Sequence, residues 1–120
     1  MDAEALKRRT KQFGLRVIRL VEALPSTRTA NVIGKQLLRS GTSVGANYGS
    51  ACRGRSKADF ISKVGIAIEE ADESLYWMEM LVEAELVPEA RLVDLMKEAN
   101  ELVAILTASV KTAHAHLSLK

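Results

Sequence analysis

LLRSGTSVGANYGSACRGRSKADF, residues 37–60, is the stretch that decides the predicted fold. It is compatible with a helix but almost free of large side chains in its middle, where Gly41, Gly45 and Gly49 recur every four residues. Residues four apart share one face of a helix, and each glycine inside a helix costs about 0.5–1 kcal/mol relative to alanine. This glycine row therefore needs a reason, either a close helix crossing or a surface that a phosphate or a partner main chain approaches.

The stretch belongs to a series of amphipathic segments that runs along the whole chain. Apolar residues recur at spacings of three and four over residues 3–24, 30–52, 57–86 and 89–117, which predicts four helices. Proline or glycine marks each short break, and short connections make successive helices antiparallel neighbours. The sequence therefore predicts an all-α fold, an antiparallel up-down-up-down four-helix bundle, as a single domain over the whole chain.

The apolar stripes also predict the core. The residues expected to face inward are Leu6, Thr10, Phe13, Val17, Leu20 and Leu24, then Ile33, Leu37, Val44, Tyr48 and Ala51, then Ile61, Val64, Ile68, Ala71, Leu75, Met78 and Val82, and last Leu92, Met96, Ala99, Val103, Leu106, Val110, Ala113 and Leu117. Thr27 or Thr29 is expected to cap the second helix and Ser56 the third, because their hydroxyls can accept the free N–H groups of a first turn.

The second and third helices are expected to face each other around a turn at Gly54. Antiparallel pairing then puts residues whose numbers sum to about 109 at one level. That register places Gly45 beside Val64 and Gly65. We therefore predict that the glycine row is a close crossing of the second and third helices.

Charge is divided unevenly along the chain. Its net charge of +2 combines twelve basic and three acidic residues in residues 1–57 with five basic and twelve acidic residues in residues 58–120. The two halves can neutralise each other inside one bundle, or they can leave an exposed basic face for an anionic partner. The antiparallel register brings Arg39 close to Glu70 and Glu73, which predicts one internal ion pair.

Composition predicts a cytoplasmic location without a membrane partner. The only cysteine, Cys52, excludes an internal disulfide, so a reducing cytoplasm is the expected compartment. The N-terminal residues are rich in charge and lack the apolar core of an export signal. The longest apolar run, residues 102–110, is far below the roughly 20 residues that span a bilayer.

The sequence contains no recognisable catalytic or metal-binding motif. A di-iron bundle needs Glu-x-x-His motifs, but the only histidines, His114 and His116, do not follow a glutamate by three residues. The carboxylates of residues 69–73 are interpreted as an ion-paired or solvated face, because nothing divides them into an acid and a base. We therefore predict no catalytic site, no metal, no cofactor and no enzyme activity.

Basic residues that lie off the apolar stripes are the candidate binding site. Eight of them are predicted to contact nucleic acid, namely Arg8, Arg9, Arg16, Arg19, Lys35, Arg53, Arg55 and Lys57. Phosphate contacts of this kind give an affinity that is steeply salt-dependent and mostly independent of sequence. The pattern permits RNA binding, although no RNA-recognition motif of a named type is present.

Three parts of the chain resemble a known family. RSGTSVGAN (residues 39–47), ADFISK (residues 58–63) and the pair Tyr76-Trp77 are similar in order and spacing to the 23S rRNA intervening-sequence protein family, often called four helix bundle proteins. The resemblance runs over residues 29–81. It implies a four-helix subunit, a ring-shaped homopentamer, a link to RNA and no known catalysis.

Tyr76 and Trp77 are adjacent, so at most one of them can point fully into the core of the subunit. Aromatic residues are enriched at interfaces, and the ring implied by the resemblance makes both residues candidates for an oligomer interface. Two functions stay open. One is a non-enzymatic ring that binds RNA, and the other is a structural or adaptor oligomer that binds a protein partner. They differ in whether the basic residues form one open surface or are taken up by carboxylates.

Overall fold

Four helices make up the structure. The computed structural model describes the backbone of residues 1–118 and the side chains of residues 1–116. Helices α1 (Ala3–Glu22), α2 (Arg28–Cys52), α3 (Lys57–Glu83) and α4 (Val93–Ser118) follow in order, with a 3₁₀ turn (Glu89–Arg91) before α4. Each helix packs against the next, and α1 also contacts α4, in a body of 53 × 21 × 20 Å. The predicted all-α, antiparallel up-down-up-down four-helix bundle is confirmed.

Side-chain caps determine where the first three helices begin. Asp2, Thr27 and Ser56 each accept a hydrogen bond from the backbone N–H three residues further on, over 2.8, 3.1 and 3.1 Å. Such caps contribute about 1 kcal/mol each, because they satisfy N–H groups that the first turn of a helix leaves free. Of the two threonines predicted to cap α2, Thr27 is the one that does so.

Helices α1 and α3 end earlier than predicted, and α4 begins later. α1 stops at Glu22 and α3 at Glu83. Glu85 then takes a left-handed conformation, with φ of 59°, and the N–H of Leu86 donates to the carbonyl of Leu81 over 2.9 Å. This arrangement closes the end of α3. The 3₁₀ turn occupies what the sequence predicted as the first turn of α4.

The core follows the predicted stripe closely in α2. In α3 and α4 alternate positions of the stripe, such as Val64, Ala71, Ala99 and Leu106, are buried as predicted, while positions between them shift by one residue. The buried residues of α3 are Val64, Ala67, Ala71, Ser74, Met78 and Leu81, whereas the predicted Ile61, Ile68, Leu75 and Val82 are half-buried. In α4, Leu95 and Leu102 are buried, while the predicted Met96, Val103 and Val110 are half-buried; Leu117 lies outside the described side chains. Small residues let α3 approach α2, and the hydroxyls of Ser40 and Ser74 meet between these helices at 2.9 Å.

The glycine row faces α1, and the predicted crossing with α3 is wrong. A Cβ on Gly41 would lie 2.7 and 2.8 Å from the γ-methyls of Val17, and one on Gly45 would lie 3.2 Å from the carbonyl carbon of Thr10. A Cβ on Gly65, the predicted neighbour on α3, would meet no described atom within 4 Å. The reason is that α2 packs against two helices, and its contact with α3 is made by other positions. α2 continues through the row without interruption.

Candidate nucleic-acid interface

A groove follows the crossing of α1 and α2, and cations line it. Its volume is about 540 Å³, and its walls carry Arg8 and Lys11 from α1 and Arg53 from α2. Its lining also includes several small residues, namely Gly14, Gly45, Ala46 and Gly49, and at Gly45 the backbone of α1 lies too close for a side chain to fit without a shift. Lys7 also lines the groove and is bonded to Glu4 over 2.7 Å. The groove is therefore positively charged along part of its length.

Gly49 makes room for one of these cations. Within the described residues, a Cβ on Gly49 would meet only Nη1 of Arg53, at 3.6 Å. The guanidinium of Arg53 therefore lies back over the last turns of α2, beside the groove. The predicted close helix crossing does not extend to Gly49, because no described atom of another helix lies within 4 Å of a Cβ built there.

Three cations surround the turn between α2 and α3. Arg53 and Arg55 precede the first residue of α3, which is Lys57, and the N-terminus of a helix itself carries partial positive charge. Asp59, the acidic residue of this first turn, is bonded to Lys63 over 3.1 Å. That hydrogen bond holds the pKa of Asp59 below its ordinary value. None of the three cations makes an ion pair with a described residue.

Arg9 does not belong to this surface, although the sequence placed it there. Its guanidinium donates to Glu98 of α4 from Nε over 2.8 Å and from Nη2 over 2.7 Å, and to Glu101 over 3.3 Å. The bond to Glu98 is the main cause of the raised pKa of Arg9, against the opposing effect of burial. Arg9 therefore joins α1 to α4, and its charge is taken up by carboxylates within the fold.

The other predicted cations lie towards the opposite end of the bundle. Arg19 is about 16 Å from Arg8 along the axis of α1, at 1.5 Å per residue. Arg16 and Arg19 line a separate cavity of about 300 Å³ together with Arg91. The eight predicted residues thus do not form one field. Arg8, Arg53, Arg55 and Lys57 lie near the α2–α3 turn, Arg16, Arg19 and Lys35 lie apart from them, and Arg9 is ion-paired.

The structure brings Arg39 together with Glu70 and Glu73 between α2 and α3. Arg39 donates from Nη1 to Glu70 over 2.7 Å and from Nη2 to Glu73. The indole N–H of Trp77 also donates to Glu73, over 3.0 Å. The bond from Trp77 first, and that from Arg39 second, hold the pKa of Glu73 below its ordinary value in spite of partial burial. This cluster joins α2 to α3.

Tyr76 points outward, whereas Trp77 is partly covered. Tyr76 is 51% exposed, and the two rings meet edge to face with centroids 5.0 Å apart. Trp77 packs against the core and directs its N–H to Glu73. Of the two residues predicted at an oligomer interface, Tyr76 is the more accessible, and Ile66 and Met80 of the same helix are also exposed.

Among residues 1–118, no group of three or more His, Cys, Asp or Glu side chains is arranged to hold a metal ion. In the same part of the chain, no helix combines the length and the apolar character that crossing a membrane requires.

Some features of the site escaped sequence reasoning. One of them is the contact of Gly14 with α2, where a Cβ built on Gly14 would lie 3.6 Å from the carbonyl oxygen of Gly41. The position of Gly14 next to Phe13 of the inner stripe was the sequence feature that could have indicated this contact. Arg91 and the partners of Arg9 are others. They become neighbours of α1 only through the packing of α4, some 70 to 90 residues further along the chain, so no local pattern indicates them.

The fold and the site together define a class of protein, an antiparallel four-helix bundle with a basic groove and a basic turn at one end. The chain belongs to the 23S rRNA-intervening sequence protein family, whose model matches residues 4–108, and the predicted resemblance is confirmed. The chain is also similar to a protein of unknown function from the S23 ribosomal protein family of Bacteroides thetaiotaomicron. The two share 34% sequence identity over 92% of this chain and 99% of that one, with a TM-score of 0.86. No curated protein matches the sequence.

Proposed function

We propose that the chain is a non-enzymatic cytoplasmic protein that assembles into a homo-oligomeric ring and binds RNA through its basic groove and turn. The observation that carries the proposal is the unopposed positive charge at one end of the bundle. Arg8, Arg53, Arg55 and Lys57 make no ion pair with any described residue. Neighbouring like charges repel one another, and phosphates would remove that repulsion.

The shape of the surface favours a nucleic-acid backbone as the anionic partner. A cationic groove can follow the sugar-phosphate chain of a single strand, and here the groove leads to the α2–α3 turn through Arg53. Each phosphate contact lowers the logarithm of affinity by about 0.7 per tenfold increase in salt for a single strand. Four contacts, one from each of Arg8, Arg53, Arg55 and Lys57, would give a slope of about −3.

Self-assembly is supported by apolar side chains on the surface. Tyr76, Ile66 and Met80 are exposed on α3, and Leu15 and Ile18 are exposed on α1. Apolar residues gathered on two helices suit contacts with neighbouring copies. The family resemblance suggests five subunits. A ring would place one basic end from each subunit at regular intervals and so multiply weak contacts with a single RNA.

A structural or adaptor oligomer that binds a protein partner is the second candidate. The observation that favours it is the apolar part of the same groove, whose lining includes Leu15, Ile18 and Ala46. An amphipathic helix of a partner could dock in such a groove. This function needs no phosphate, so it predicts little RNA binding even at low salt.

Filter binding on the intact assembly tests the first function. The variant Arg8→Gln/Arg53→Gln/Arg55→Gln removes three of the unopposed cations. The matched control, Arg16→Gln/Arg19→Gln/Lys35→Gln, removes the same charge far from the turn. We expect the first variant to bind unrelated RNA sequences more weakly and to flatten the salt dependence by about 2 units of slope. We expect the control to lose much less.

The outcomes separate the two functions. Equal losses in both triple variants would show that binding follows net charge and not the groove. Failure of the parent to retain any RNA at low salt would refute the RNA function and leave the adaptor function. Light scattering on the same samples checks assembly, and a mass equal to one subunit would refute the ring.

A further inference from the structure

A second and larger cavity lies at the basic end of the bundle. It forms where the N-terminal residues of α1, the α2–α3 turn and the last turns of α4 meet, and its volume is about 750 Å³. Small-molecule sites in proteins commonly measure about 300–1,000 Å³. The cavity is distinct from the groove, because the two share no lining residue.

The walls of this cavity divide into three kinds of surface. Phe60 and Ile105 supply apolar surface, Ser109 and Thr112 supply hydroxyls from α4, and the turn supplies the cations Arg55 and Lys57. An aromatic face, hydroxyl groups and cations are what proteins use to hold an unpaired nucleotide. The ring stacks on the base, the polar groups meet the base edges, and the cations meet the phosphate.

Tyr48 adds another hydroxyl to the lining of the cavity. It lines the cavity and is only 3% exposed. Its hydroxyl makes no hydrogen bond to an oxygen or nitrogen atom of the described residues, and its neighbour is the thiol of Cys52, a weak partner. Burial, and then this thiol, raise the pKa of Tyr48 above its ordinary value. Among the described residues no buried side-chain oxygen or nitrogen atom is left without a hydrogen-bond partner, so this hydroxyl counts as a polar group of the lining and not as an orphaned one.

We propose that the cavity receives one unpaired nucleotide of the bound RNA. Its phosphate lies between Arg55 and Lys57, its base lies against Phe60, and the hydroxyl of Tyr48 bonds the base edge. This inference rests on the proposed RNA binding and adds to it a requirement for a base. Arg55 and Lys57 connect the cavity with the basic α2–α3 turn, because they line the cavity and belong to that turn.

Two RNA strands of equal charge provide the test. One is a single strand of twelve uridines, and the other has the same sugar-phosphate chain without bases. Since stacking of one base is worth roughly 5- to 150-fold in affinity, we expect the parent assembly to bind the uridine strand at least about fivefold more tightly. Ala108→Trp and, separately, Thr112→Trp fill the cavity without changing its charge. Both should remove the preference and keep the salt slope.

Ala104→Trp, one turn earlier on α4 and outside the cavity, is the control and should keep the preference. Circular dichroism establishes that each variant is folded. If the parent binds both strands equally, the inference is wrong while RNA binding stands. If the parent binds neither strand at low salt, both are wrong. A preference that persists in both cavity-filling variants would also overturn the inference.

Discussion

Replacing Gly41 by alanine tests how the bundle is packed. The new Cβ would lie 2.7 and 2.8 Å from the γ-methyls of Val17, much closer than carbon atoms normally approach. Val17 is fully buried, and a β-branched side chain in a helix has one strongly preferred rotamer, so it cannot turn away freely. Overpacking of this kind costs about 1–3 kcal/mol, while replacing a helical glycine gains about 0.5–1 kcal/mol. We expect a net loss of about 1–2 kcal/mol in the free energy of unfolding.

Gly65→Ala is the matched control on α3. A Cβ there would meet no described atom within 4 Å, so the same change should raise the free energy of unfolding by about 0.5–1 kcal/mol. Urea unfolding followed by circular dichroism measures both, at one protein concentration, because assembly is linked to stability. If Gly41→Ala were as stable as Gly65→Ala, α1 could not lie against the glycine row.

A double-mutant cycle locates the clash at Val17. Val17→Ala alone leaves a small cavity and destabilises the bundle, but in the double variant the new methyl of residue 41 would occupy part of that space. The combined loss should therefore be smaller than the two single losses added together, by about 0.5–3 kcal/mol. Strict additivity would show that these two positions do not touch.

Two further predictions concern polar contacts. Arg9→Gln breaks the paired bonds to Glu98, whose side chain is 15% exposed, and should lower the free energy of unfolding by about 1.5–3 kcal/mol. The control Arg8→Gln, at an exposed residue, should change the free energy of unfolding by less than about 0.5 kcal/mol. Equal effects of the two variants in urea unfolding would contradict the ion pair between Arg9 and Glu98. Trp77→Phe removes the main donor that keeps the pKa of Glu73 low, so Glu73 should titrate at higher pH by carbon NMR. A lowered folded-state pKa contributes stability above the unfolded value of about 4.3 and loses it as the pH falls through the folded value. The variant should therefore approach the stability of its parent in acid, and an unchanged Glu73 midpoint would show that the indole does not bind the carboxylate.

Periodicity predicted the bundle because the apolar spacing of each helix is local information. The same periodicity failed by one position in α3, where Ala67, Ser74 and Leu81 are buried in place of Ile68, Leu75 and Val82. Hydropathy favours Ile68 and Leu75, but close approach of α3 to α2 selects the smaller Ala67 and Ser74, and helix separation is a property of the packed molecule. The glycine row was misassigned for a related reason. A shared helix face can be read from spacing, but the sequence does not say which of two flanking helices covers it.

The site was predicted less well than the fold. Arg39 and its carboxylates could be paired because α2 and α3 are joined by a short turn, which sets their register. Arg9 and Glu98 are separated by 89 residues, and their meeting depends on how α4 returns to α1. The cavity at the basic end of the bundle likewise depends on how the helices pack together. Its lining comes from all four helices, so Tyr48 in the sequence was indistinguishable from any other core residue.

The uneven charge of the chain is only partly used by the fold. Of the twelve basic residues in residues 1–57, Arg9 and Arg39 bond carboxylates of the acidic half and Lys7 bonds Glu4. The other nine make no ion pair within the described residues. Both long-range pairs lie where a basic helix meets an acidic one, α1 with α4 and α2 with α3. Neutralisation thus operates along the contacts that join the helices. The remaining positive charge opposes compactness, and it is the charge that the proposed RNA binding would neutralise.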